Sequence, residues 1–211
     1  MLFVSENAQG EGFVYAYGND SLAIQTPISK KGWWHEKSDY TTQFRPKQLI
    51  VPAALFGVGA LGIGENAPLN KIDLKVRDKA LQIRGNCPMH FDNYLQYLPT
   101  AMYFGLSVLP TKSKHTFPEK ICVAAVAFIS ETALVNGLKY TIREQRPNFK
   151  ERNSFPSGHT ATAFMTASLL HKEYGWRSPW FSIGGYTAAA VTGVSRICNN
   201  RHWLSDVVAG A

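Results

Sequence analysis

Apolar blocks alternate with charged connections along most of this chain. Residues 48–64 (QLIVPAALFGVGALGIG) carry no charge over 17 positions, the lower edge of a bilayer span. Residues 94–109 are also uncharged, with Pro99 placed to kink a helix there. Residues 121–138 hold one charge, Glu131, and residues 160–170 and 180–194 hold none. A sixth block opens at Trp203 and is cut off at Ala211. Small residues in the last three blocks, among them Ala161, Ala163, Gly184 and Gly185, suit close helix packing. Between the first two blocks, Ile72, Val76, Ala80 and Ile83 recur at helical spacing among Lys71, Lys75, Lys79 and Arg84. That spacing predicts an amphipathic helix suited to a membrane surface. Strand signals are sparse. The expected fold is all-α: a six-helix bundle, transmembrane, with the sixth helix truncated in this chain. Residues 1–44 read as a polar N-terminal arm and residues 45–211 as the helical domain.

Composition narrows the possibilities. Of the 211 residues, 45% are hydrophobic and only 18% charged, which excludes a disordered chain. Cys87, Cys122 and Cys198 are odd in number and widely spaced, which excludes a disulfide-dense scaffold or a paired-cysteine zinc motif. Cys122, in an apolar block, is expected in the core. No signal peptide is read at Met1-Leu2-Phe3-Val4, where the apolar run is too short. Trp33, Trp34 and Phe44 read as membrane-interface or packing residues. The net charge of +7 points to an anionic partner. Residues 137–211 carry nine Lys and Arg against four carboxylates, so much of the excess sits there. No basic run with interleaved aromatics occurs, which argues against nucleic acid.

Three clusters in that region carry chemistry. Lys139 and Arg146 are seven apart, two turns along one helix face if the helix continues to Pro147. Pro156-Ser157-Gly158-His159 precedes an apolar helical run. There Ser157 can cap the helix, free N–H groups make an anion site, and His159 can pass a proton to a leaving oxygen. Ser195-Arg196 is followed after five residues by His202 and after three more by Asp206. On a helix His202 and Asp206 share a face. The carboxylate then accepts Nδ1–H and leaves Nε2 as a nucleophile or base. Arg196 offers a planar fork for phosphate oxygens. Each cluster alone is also explained as a helix end, a capped turn or a surface ion pair.

Together and in this order the clusters resemble the type 2 phosphatidic acid phosphatase family, within the lipid phosphatase and vanadium haloperoxidase superfamily. Lys139, Arg146, Pro147, Pro156, Ser157, Gly158, His159, Ser195, Arg196, His202 and Asp206 match every fixed position of its three motifs. The stretches 155–164 and 200–206 look like bacterial membrane members. The resemblance implies a metal-independent phosphatase, without cofactor, acting on a lipid phosphate or diphosphate monoester. Lys139, Arg146, Ser157, Gly158 and Arg196 would hold the phosphate. His202 would attack phosphorus to give a phosphohistidine, Asp206 would orient His202, and His159 would protonate the leaving alcohol.

Helices crossing in alternation would bring the three clusters to one side. Lys112, Lys114, Lys120, Lys172 and Arg177 would lie on the other, the cytoplasmic one by the positive-inside rule. The site would then face the periplasm or outside of a bacterial cell membrane. The alternatives are a soluble acid phosphatase of the same superfamily, a vanadium-dependent haloperoxidase, or a non-catalytic anion-binding membrane protein.

Overall fold

The computed structural model describes residues 2–6, 12–17, 26–27, 46–64, 66–85, 91–109 and 111–211. The chain divides into two compact units, Met1–Asp39 and Tyr40–Ala211. In the first, β1 (Leu2–Glu6), β2 (Gly12–Tyr17) and β3 (Thr26–Pro27) form an antiparallel sheet in that order, with Phe3 opposite Ala16 and Phe13 opposite Thr26. The Phe, Val and Tyr residues of β1 and β2 favour a pleated surface. The sheet lies in the segment expected to be a polar arm. Trp33, Trp34 and Phe44 lie outside the described residues.

Among its described residues the second unit has helices and no strands. A 3₁₀ turn (Pro46–Leu49) leads into α1 (Ile50–Ala60). The predicted amphipathic helix is α2 (Asn70–Arg84). The second apolar block is divided between α3 (Asp92–Leu95) and α4 (Leu98–Gly105). Pro99 stands in the first turn of α4, where its missing N–H leaves no helical bond unmade. It therefore starts a helix and does not kink one. The remaining blocks form α5 (Phe117–Ile142), α6 (Gly158–Tyr174), α7 (Pro179–Cys198) and α8 (Leu204–Gly210).

The longest helix is α5. Glu119 accepts the Thr116 backbone N–H at 2.8 Å to close its first turn, and Arg143, with φ of 52°, ends it. Its 26 residues extend about 39 Å at ordinary helical rise. Among the described residues it is the one helix long and apolar enough to cross a membrane. It buries only Lys120, Ala124 and Val135, while Val126, Ile129 and Leu134 are more than 60% exposed. Cys122, expected in the core, is exposed on this helix, because the apolar block is packed along a narrow stripe only. Lys120, expected in a connection, is buried. Its ammonium donates to Ser107 Oγ and to the Tyr174 hydroxyl, both at 2.6 Å, and lies over the Tyr174 ring.

The centre of the unit is the α6–α7 pair. Ala163, Ala167 and Ala189 are fully buried between them, and small side chains there let the helices approach. Close approach also joins α1 to α8. A Cβ at Gly59 would lie 2.5 Å from the Ser205 carbonyl oxygen and 2.6 Å from Ala209 Cβ. Gly59→Ala is therefore expected to lower stability by about 1–3 kcal/mol, the usual cost of overpacking. Gly57, on the same helix, has open space where its Cβ would go. Gly57→Ala is expected to raise stability by about 0.5–1 kcal/mol through helix propensity alone. Thermal unfolding of the purified variants checks the opposite signs.

Candidate active site

The first cluster is built by a helix end and the loop that follows. Lys139 lies in the last turn of α5, but Arg146 does not continue its face. The left-handed Arg143 turns the chain out of the helix before Arg146, contrary to the expectation of two turns on one face. The loop is closed by Arg146 N–H to the Glu151 carbonyl at 2.9 Å and by Ser154 N–H to the Glu144 carbonyl at 3.0 Å. Asn153 then gathers both cations. Its carbonyl accepts from Lys139 Nζ at 2.6 Å and its side-chain oxygen from Arg146 Nε at 2.7 Å. Two like charges brought this close need such acceptors to offset their repulsion.

Ser157 is the N-cap residue of α6, in extended conformation. Its hydroxyl does not cap the helix by a side-chain bond, and instead accepts from Thr160 Oγ1 at 2.9 Å. Gly158 and His159 are the first two residues of the helix, where backbone N–H groups are unspent. His159 Nε2 lies 3.1 Å from Asn93 Oδ1, on α3.

The third cluster spans the α7–α8 turn. Arg196, in the last turn of α7, is buried with its Nη1 2.8 Å from Asp92 Oδ2. His202 is not on a helix, as expected from the spacing, but in the turn before α8. Asn200, with φ of 56°, reverses the chain there. The four-residue spacing nonetheless places His202 Nδ1 3.5 Å from Asp206 Oδ2, with both groups buried. The same oxygen accepts Trp203 N–H at 2.8 Å and the Ser154 hydroxyl, so Asp206 caps α8 and faces His202 at once. The Ser157 N–H donates to the Asp206 carbonyl at 3.0 Å, which ties α6 to α8.

Electrostatics link the clusters. Burial, and then the charges of Lys139, Arg146 and Arg196, hold the His202 imidazole well below the usual histidine range. His202 is therefore neutral at physiological pH. Burial likewise pulls the Arg146 guanidinium down from its ordinary value, with Glu151 acting against this. The arrangement is a neutral, carboxylate-backed imidazole in a field of three cations. It is equipped to hold a tetrahedral oxyanion and attack its central atom. Four contributors were missed by sequence reasoning: Asp92, Asn93, Asn153 and Ser154. Asn153 and Ser154 stand just before the second motif, with Phe155 between. Asp92 is a lone carboxylate at the entrance of an uncharged block, a signal that was available.

Comparison with known proteins follows the same lines. Residues 120–211 match the family model of the PAP2 superfamily. The chain is 41% identical over 141 residues to the Lipid A 1-phosphatase of Porphyromonas gingivalis, covering 66% of this chain and 32% of that one. It thus spans about a third of the length of this relative. The LpxE protein of Aquifex aeolicus is similar in structure, with a TM-score of 0.52, 25% identity and coverage of 66% of this chain and 88% of that one. The transmembrane PAP2 type phosphatidylglycerolphosphate phosphatase of Bacillus subtilis shares the fold, with a TM-score of 0.50 and 23% identity over 76% of this chain and 88% of that one.

The depressed His202 proton affinity has a consequence in solution. In a ¹⁵N titration, His202 is expected to keep neutral-imidazole shifts at pH 6, whereas an exposed histidine titrates near about 6.5. Below that pH the unfolded chain binds a proton at this position that the folded protein refuses. Stability should therefore fall as pH drops through about 6.5, and His202→Gln should remove that part of the slope. An ordinary midpoint for His202 would contradict the assignment.

Proposed function

The chain is a member of the PAP2 superfamily through residues 120–211, and on that premise we propose that it hydrolyses a lipid phosphate monoester or diphosphate, without a metal, through a phosphohistidine. The observation that carries the proposal is the buried His202, neutral, backed by Asp206 and set in the field of Lys139, Arg146 and Arg196.

The chemistry follows from these positions. Lys139, Arg146 and Arg196 hold the non-bridging phosphate oxygens, with the Ser157 hydroxyl and the Gly158 N–H. Phosphoryl transfer needs mainly positioning and charge stabilisation, which three fixed cations supply. The Nε2 lone pair of His202 attacks phosphorus as the bond to the ester oxygen breaks. Burial, and then the charge of Arg196, lower the His159 pKa to about 4 in the empty site. A bound phosphate offsets those cations, and His159 then takes up the proton that it gives to the departing oxygen. Asp206 accepts Nδ1–H and stabilises the positive charge that develops on the His202 ring. In the second step His159 takes a proton from water, the water oxygen bonds to phosphorus, and the P–N bond breaks. His202 returns to its neutral form and inorganic phosphate leaves.

A lipid substrate is supported by the outward apolar faces of the helices, such as Val126 and Ile129 on α5, which fit a bilayer. A lipid A-type 1-phosphate is the first substrate to assay, given the name of the Porphyromonas relative. The exposed Lys172 near the end of α6 and Arg177 in the following turn fit a cytoplasmic face. The site then opens to the periplasm or outside.

Phosphate release by the purified protein, with EDTA present, tests the proposal. Activity is expected to be unchanged by the chelator. His202→Ala should lower kcat by about three orders of magnitude or more, as loss of a covalent nucleophile does. Arg196→Lys should cost about ten- to a hundredfold, because the planar fork is lost. Inactivation by EDTA would overturn metal independence, and a fully active His202→Ala would overturn the phosphohistidine.

A further inference from the structure

One face of α2 is devoted to the α7–α8 turn. Asp73, Arg77, Ala80 and Arg84 follow one another at spacings of four, three and four, so they share a helix face. Each meets the segment that carries His202. Asp73, 3% exposed, accepts Ser205 N–H at 2.9 Å and the Ser205 hydroxyl at 2.7 Å. The Arg77 guanidinium lies over the Trp203 ring, 5.7 Å from its centroid. Ala80 packs with Ile197 and Cys198. Arg84 Nη1 donates to the Cys198 carbonyl at 3.4 Å. The opposite face is open: Lys71, Ile72, Lys75, Lys79 and Ile83 are exposed.

We propose that α2 is a brace for the nucleophile-bearing turn and that Asp73 is its positioning residue. The inference rests on the phosphatase reading above and concerns a residue outside all three motifs and outside the 120–211 match. The physical argument is short. Ser205 immediately precedes Asp206, and both belong to the first turn of α8. His202 meets Asp206 only at 3.5 Å, so a small tilt of that turn separates them. Asp73 fixes the turn through two bonds from a buried carboxylate, which cannot turn to water as a substitute partner. Gly62 secures the fit, since a Cβ there would run into Ser205 and the Asp73 carboxylate. Misplacement of a reacting group by about 1 Å costs on the order of a hundredfold in rate without altering substrate affinity.

Steady-state kinetics on a lipid phosphate with the full chain in detergent micelles test the brace. Asp73→Ala is expected to lower kcat by about thirtyfold or more, within the range a 1 Å displacement commands. KM and inhibition by inorganic phosphate should stay within about twofold, because Lys139, Arg146 and Arg196 are untouched. Asp73→Asn should recover kcat to within about threefold of wild type, since the amide oxygen still accepts Ser205 N–H. Unchanged kcat in Asp73→Ala, or a loss shared equally by kcat and phosphate binding, would overturn the proposal. If Asp73→Ala does not fold, Arg77→Ala and Ser205→Ala decide. Each removes one brace contact and should lower kcat alone by about three- to tenfold, and full kcat in both would overturn it. A wild-type protein that releases no phosphate would strike the phosphatase reading instead. The brace is then judged on the His202 ring-nitrogen signals, which should lose their single environment in Asp73→Ala and which, unchanged, would overturn it.

Discussion

The site is organised around one buried carboxylate. Asp206 is almost wholly removed from water, and an ionised group there must be met by donors from the protein. One carboxylate oxygen collects two, from the Ser154 hydroxyl and the Trp203 backbone, with the His202 ring 3.5 Å away. The Ser154 bond brings the loop after α5 against the α7–α8 turn. The N-terminus of α6 is held in the same place, through Ser157 N–H on the Asp206 carbonyl. The loop after α5, the start of α6 and the α7–α8 turn converge on this one residue.

The cations raise the opposite problem. Lys139, Arg146 and Arg196 repel one another, and none is fully hydrated. Each is therefore given an acceptor that offsets part of its charge: the Asn153 carbonyl, the Asn153 amide oxygen and the Asp92 carboxylate. Burial, and then the positive field that remains, keep the His202 ring unprotonated. A tetrahedral phosphate would relieve this repulsion directly, so in the proposed reaction the same electrostatics serve binding and nucleophile alike. The helices that carry these groups can come so close because Ala163, Ala167, Gly185 and Ala189 occupy the α6–α7 seam.

The motifs were legible because the phosphoryl chemistry proposed for them demands particular residue types at short spacings, and short spacings survive in one dimension. The helical blocks were legible for a similar reason, since an apolar stretch without charge has few ways to be satisfied. Local geometry was read less well. Lys139 and Arg146 were expected on one helix, but Arg143 ends it early. His202 was expected on α8, but the helix begins after it, at a cap that its own Asp206 provides. A strand pair at residues 2–17 was passed over because its polar neighbours concealed a brief alternation.

By itself the sequence determined the helical class of the main unit, the order of its apolar blocks and the spacing of its three polar clusters, because these depend on composition and local pattern. Only the tertiary structure decided which residues support them. Asp92 reaches Arg196 across 104 positions, and Asp73 reaches Ser205 across 132. No periodicity encodes such pairs. They arise when packing buries a charge and the nearest group able to answer it lies on a distant segment of the chain.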